Sequence, residues 1–261
     1  MNGGTGLERL LKRERVLVLS GLAGVSALAW ADLFYQARGI PNGGMGLEAA
    51  MPQMQPWQFS DFALTFAMWA VMMVGMMLPS AFPAILLFTT IGQSRRAHEK
   101  PFALTAAFVA GYLAVWTGFS VAATLSQWGL HLAFLTPGLS RADPLWGGIL
   151  LIVAGAFQWT PLKHACLAHC RSPQGFFMNE WREGAWGAFR MGLRHGTHCL
   201  GCCWLLMGLL FIGGAMNLLW AALLAIFILL EKITPAGPWI SRVGGALLVG
   251  GGIWLTTTIL L

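Results

Sequence analysis

All five cysteines of the chain fall in two short stretches. The first reads Lys163-His164-Ala165-Cys166-Leu167-Ala168-His169-Cys170, the second His195-Gly196-Thr197-His198-Cys199-Leu200-Gly201-Cys202-Cys203. Four of the six histidines share them. On a helix, Cys166 and Cys170 lie one turn apart on one face, and His195, Cys199, Cys202 and Cys203 at i, i+4, i+7 and i+8 form a single stripe. Thiolate and imidazole are the ligands of Cu(I), Zn(II) and iron–sulfur clusters. Cys166 and Cys170 give only two thiolates, where three or four donors are usual for a soft metal. The pattern therefore predicts a shared site. Cys166, Cys170, Cys199, Cys202 and Cys203 supply sulfur, and His195, His198 or His169 complete or tune it. Two other readings compete: small apolar fillers, and a thiol redox pair in Cys199-Leu200-Gly201-Cys202.

Methionine is the second signal. Met68, Met72 and Met76 recur at i, i+4 and i+8, with Met73 and Met77 on the adjacent stripe, and Met45, Met51 and Met54 lie upstream. Thioether is a soft, uncharged donor suited to Cu(I). An outer Met segment, a Met-lined helix carrying Met72 and Met76, and an inner Cys/His cluster make a path of rising Cu(I) affinity. The competing account is that Met fills irregular packing. Copper is the favoured ion, with zinc or iron compatible with the same donors. Pro79 and Pro83 follow the Met stripe and predict a kinked or locally unwound helix. Glu231 reads first as an interfacial partner of Lys232, with metal ligation or proton handling as alternatives. His131 reads as an ordinary interface residue.

The elements that carry these residues are apolar. The chain has 261 residues, 57% hydrophobic and 10% charged, against about 25% charged in a soluble domain. Blocks of the length needed to cross hydrocarbon lie near 16–34, 62–91, 102–126, 145–161, 198–214, 217–231 and 243–261. The expected fold is an all-α, polytopic transmembrane helix bundle of about seven spans in one domain, 1–261. Gly213, Gly214 and Asn217 offer a turn between the fifth and sixth spans; a six-span alternative keeps those two as one long helix. Gly244, Gly245 and Gly250 to Gly252 make the last span small-faced, suited to close packing. The segment Val16 to Phe34 has basic flanks but no small-residue cleavage site, and reads as a retained helix.

With seven spans, 14 of the 16 Lys and Arg fall on one side, leaving Arg38 and Arg141 on the other. The positive-inside rule then puts the amino terminus in the cytoplasm of a bacterial inner membrane. The net charge of +6 forms no stripe, so a nucleic-acid partner is excluded. The long inner connection, 162–197, includes Phe176 to Met191, read as an amphipathic segment on the bilayer surface. No phosphate-binding, dinucleotide-binding, zinc-protease or nucleophile-elbow motif occurs.

Several segments together resemble a bacterial family of predicted metal-binding integral membrane proteins. They are Met68-Trp69-Ala70-Val71-Met72-Met73-Val74-Gly75-Met76-Met77-Leu78-Pro79, Pro161-Leu162-Lys163 with Cys166-Leu167 and Cys170-Arg171-Ser172-Pro173, His195-Gly196 with Cys199 to Trp204, Gly214 to Asn217, and Glu231-Lys232. The resemblance covers roughly 57–238 and implies a multi-span fold and metal binding; it implies no reaction. The sequence thus leads to a membrane protein that binds or passes a soft metal ion, most readily Cu(I), at the cytoplasmic face. Alternatives are a metal-dependent membrane oxidoreductase acting on a lipid-soluble substrate, and a non-catalytic helical subunit of a larger membrane complex. The expected partners are the bilayer, the metal ion and other membrane proteins. A reporter fused after Leu261 is expected to read as extracytoplasmic and one near Arg182 as cytoplasmic; both on one side would replace seven spans by six.

Overall fold

In the computed structural model, residues 4–38, 57–95, 101–134, 143–213 and 217–260 are described. They form ten helices joined by short links, with no strand among them. The helices are α1 (Gly4–Arg38), α2 (Phe59–Arg95), α3 (Pro101–Phe134), α4 (Asp143–Phe157), α5 (Pro161–Arg171), α6 (Pro173–Glu180), α7 (Gly184–Gly208), α8 (Leu210–Gly213), α9 (Leu218–Ile233) and α10 (Gly237–Leu260). Four stretches are long and apolar enough to cross a membrane: Val18–Tyr35, Phe59–Gly92, Phe102–Leu132 and Gly184–Gly213. A fifth arises if α4 and α5, bent by 64°, count as one broken span. The lengths therefore establish four or five candidate crossings where the sequence pattern pointed to seven. One reason is the brevity of α9, whose 16 residues fall short of the roughly 20 a crossing needs.

The local chemistry explains the breaks. Thr160 accepts from the Lys163 backbone N–H at 3.3 Å and Pro161 stands at the first helical position, so α5 starts anew after α4. Pro173 opens α6 in the same way. Gly184 adopts φ +76°, a left-handed backbone that side chains disfavour, at the start of α7. Helix α8 ends at Gly213, and the Asn217 side chain caps α9 by accepting from Trp220 N–H at 3.2 Å; residues 214–216 of the expected turn lie outside the described residues. The Trp220 indole donates to Leu209 O at 3.0 Å where α7 gives way to α8.

Local unwinding at the prolines is corrected: helix α2 continues as α-helix through Pro79 and Pro83. The carbonyl that Pro79 leaves without its usual helical partner, that of Gly75, accepts from the Trp30 indole at 3.2 Å, so α1 satisfies it. Nor is Phe176 to Met191 a single surface segment. It is split between α6 and α7, and Phe176 and Phe177 are buried, with Phe177 against Phe88 and Phe108. The apolar residues there serve the core.

The tightest joints are built on glycine. A Cβ on Gly111 would come within 2.1 Å of Phe189 O, and one on Gly192 within 2.0 Å of Phe108 O, so α3 and α7 touch backbone to backbone. Helices α4 and α10 meet likewise at Gly155 against Gly245 and Gly148 against Gly252. Between these joints lies one buried core containing Met72, Met73, Met76, Met77, Tyr112, Cys199, Cys202 and Cys203. Replacing Gly192 by Val is expected to force α3 from α7 and abolish the folded, detergent-soluble monomer. Gly250→Ala, on an open face, is expected to leave it intact. Size-exclusion profiles of both variants check this.

Candidate metal centre

The α3–α7 joint brings Tyr112 against the cysteine stripe. The Tyr112 hydroxyl lies 3.1 Å from Cys199 Sγ and donates to Met77 O at 2.9 Å. Lys232 Nζ, from the end of α9, donates to Cys199 Sγ at 2.9 Å and to Ser80 Oγ at 3.0 Å. Ser80 in turn donates to Met77 O at 2.8 Å. These contacts close a ring from Lys232 through Ser80, the Met77 carbonyl, Tyr112 and Cys199 back to Lys232. It ties α2, α3, α7 and α9 together, and each of its side chains is buried.

The other thiols arrange themselves around this ring. The Cys170 thiol of α5 is within hydrogen-bonding reach of both Cys199 and Cys202 of α7. The two cysteine stretches, far apart in sequence, therefore meet. Cys202 and Cys203 donate their thiols to Cys199 O at 3.0 and 2.9 Å, as small polar side chains within helices do. Cys166 is apart from this group: its sulfur lies over Gly201, where a Cβ would approach it to 2.8 Å. None of the five cysteines is in a disulfide.

Imidazoles divide into two sets. His195 is buried in an aromatic box, with ring centroids 5.9 Å from Tyr112, 6.1 Å from Phe108 and 6.2 Å from Phe176. His169 and His198 stack at 4.2 Å between centroids, joining α5 to α7. His169 Nδ1 lies 3.0 Å from Ala165 O, an acceptor only, so that nitrogen is the donor of this bond. His198 Nε2 is buried without a hydrogen-bond partner among the described residues. Met68, Met72, Met73, Met76 and Met77 are all buried; Met45, Met51 and Met54 lie outside the described residues. His131, read from sequence as an ordinary interface residue, is buried beside Trp57, and its Nε2 has no partner among the described residues.

Among the described residues, no group of three or more His, Cys, Asp and Glu side chains is arranged to hold a metal ion. The hydrogen bonds give the reason: Cys199 sulfur is turned to Lys232 and Tyr112, and the Cys202 and Cys203 thiols are turned back onto their own helix. The donor types remain soft, with thiols and a thioether-lined helix in one core, a set suited to Cu(I).

A copper chaperone family model, PpoB2, matches residues 66–255. The chain belongs to that family. The match takes in the Met-lined part of α2, both cysteine stretches and the Glu231–Lys232 end of α9. It supports copper among the metals the donors allow and gives no support to zinc or iron. No curated protein matches the chain, and no solved structure does so.

Sequence reasoning paired Glu231 with Lys232. In the fold, Glu231 accepts instead from Lys163 of α5, at 2.8 and 2.9 Å to its two oxygens. Consecutive residues on a helix point in different directions, so Glu231 and Lys232 serve separate networks. Lys163 also donates to Gln158 Oε1, which accepts from Ser241 at 3.1 Å, so this second network joins α5 and α9 to α10. Tyr112 and Ser80 were not singled out from sequence, although polar side chains inside long apolar runs were a usable signal; Lys163 stood in the quoted motifs without a role. The Lys163–Glu231 pair yields a stability prediction. Lys163→Met alone leaves a buried carboxylate without its cation and should lower stability by about 3–5 kcal/mol. Lys163→Met with Glu231→Leu should cost markedly less. Thermal unfolding of both variants in one detergent measures the difference.

Proposed function

We propose that this chain is a membrane-embedded copper chaperone that receives Cu(I) and holds it for transfer on thiols shared between α5 and α7. The observation that carries the reading is the approach of Cys170 to Cys199 and Cys202, which joins the two cysteine stretches in one buried core. Family membership supports copper as cargo. Soft donors explain selectivity: thiolate and thioether favour Cu(I) over harder ions, and a core that excludes water limits its oxidation.

In this reading Cys170, Cys199 and Cys202 are the principal donors, with Cys166 and Cys203 available once the thiols rotate. The stacked His169 and His198 stand beside the donors as a transfer station, and His195 tunes the site from its aromatic box. Met72, Met73, Met76 and Met77 line the approach along α2, which passes the same core. The absence of a preformed cage among the described residues suits a carrier, because a rigid three- or four-donor site would hold copper too firmly to hand on.

The placement belongs to the same proposal. The chain is one domain in a bacterial inner membrane with its amino terminus inside, and α9 and α10 add to the longer crossings to make seven. The support is the clustering of Lys and Arg at alternate ends of the apolar blocks. Copper would then reach the thiols at the cytoplasmic side, where they stay reduced.

The test is Cu(I) stoichiometry, measured anaerobically against a chromogenic chelator on protein in mild detergent. The wild-type chain is expected to retain about one Cu(I), and Cys170→Ser with Cys199→Ser to retain close to none while keeping its helical circular dichroism. Full retention by the double variant would refute the shared thiol site and leave a scaffolding role as the better account.

A further inference from the structure

Lys232 is a buried cation that contacts no carboxylate among the described residues. The buried charged residues among those described are Lys163, Glu231 and Lys232. Glu231 gives both oxygens to Lys163. Lys232 is left with a hydroxyl and a sulfur, Ser80 Oγ at 3.0 Å and Cys199 Sγ at 2.9 Å. An ammonium in apolar surroundings is costly unless it faces an anion or strong acceptors. Of its two partners, only the sulfur can carry negative charge, and that sulfur is also a candidate copper donor.

We propose that Lys232 is a built-in stand-in for the cargo. Its ammonium occupies the cation position on the Cys199 sulfur in the copper-free protein. Cu(I) takes that position on loading, and the returning ammonium helps to expel it. This rests on the thiol site proposed above. In the exchange, the Nζ–H···Sγ hydrogen bond breaks as the Cu–Sγ bond forms. Lys232 keeps its proton, the sulfur is a thiolate on both sides of the exchange, and copper arrives and leaves as Cu(I), so no electron moves. Ser80 provides the place to which the displaced ammonium withdraws, since it already accepts from Nζ.

The arrangement has a clear energetic sense. Two monovalent cations compete for one buried sulfur, so each weakens the other. Attraction between buried opposite charges is large where water is scarce, so a cation already seated on the thiolate weighs against Cu(I) binding there. A competing ammonium carried on the next helix keeps the site occupied when empty of copper and lowers the affinity of the loaded state. Leu, without charge and without a donor atom for copper, removes the competitor while keeping an apolar side chain in its place.

Two variants with opposite expected signs test this in the full chain in mild detergent, using Cu(I) and a chelator of known affinity. Lys232→Leu is expected to hold Cu(I) at least about tenfold more tightly and to release it more slowly, as loss of a like charge beside the ion requires. Ser80→Ala removes the refuge of the ammonium, and is expected to weaken Cu(I) binding severalfold. Weaker or unchanged binding in Lys232→Leu would overturn the proposal, the former by showing that the lysine supports the sulfur for copper instead of competing. If Lys232→Leu does not fold, Ser80→Ala decides alone: weaker binding supports the proposal, and unchanged or tighter binding overturns it. Cys199→Ser separates the two levels. Its loss of copper together with an unaltered Lys232→Leu sinks only the stand-in. Retention of copper by Cys199→Ser sinks both the stand-in and Cys199 as a copper donor.

Discussion

An ammonium group inside an apolar helix bundle has to be met on every side that water would otherwise occupy. Lys232 meets this constraint through Ser80 and Cys199, and those two residues are drawn to the Met77 carbonyl and Tyr112. The closed ring that results fixes the relative rotation of α2, α3, α7 and α9. Rotating any one of these helices about its axis would strand a buried donor or acceptor, at a cost comparable to several ordinary hydrogen bonds. The position of the thiols is therefore set by a polar requirement as much as by apolar packing.

The ring closes only because the helices come very near one another. Gly111 and Gly192 remove the side chains that would hold α3 and α7 apart, and the tyrosine next to Gly111 thereby reaches the cysteine stripe. A second polar ligature, Lys163 with Glu231, Gln158 and Ser241, fastens α5 and α9 to α10. Arg171 reinforces it by donating to Thr234 O at 2.9 Å and Pro235 O at 3.0 Å, at the turn that leaves α9. The α5 cysteine at 170 is thus held to the core from two directions: by its own helix's lysine and by the arginine that follows it.

Soft donors without a finished cage form a coherent arrangement for a protein of the copper chaperone family. Thiols that bond to their own helix, or to a lysine and a tyrosine, are satisfied when no metal is present. On the thiol site proposed above, loading would exchange those bonds for metal–sulfur bonds. The difference between the two, not the strength of either alone, governs how readily copper moves on.

The sequence by itself determined what depends on neighbours along one chain: apolar helices throughout the described residues, a helix break near Gly213 and Asn217, soft donors gathered in two stretches, and helical stripes that present them on one face. It also pointed to a meeting of the two stretches, because Cys166 and Cys170 give only two thiolates. It did not determine which residues face which across helices. Glu231 pairs with Lys163 and not with Lys232, Cys166 rests on Gly201 while Cys170 reaches Cys199 and Cys202, and Phe176 and Phe177 turn into the core. Periodicity fixes a face within a helix but says nothing about how that helix is rotated against another. That rotation is set by glycine contacts and buried polar bonds between residues as far apart as Ser80 and Lys232, and only the tertiary structure decides it.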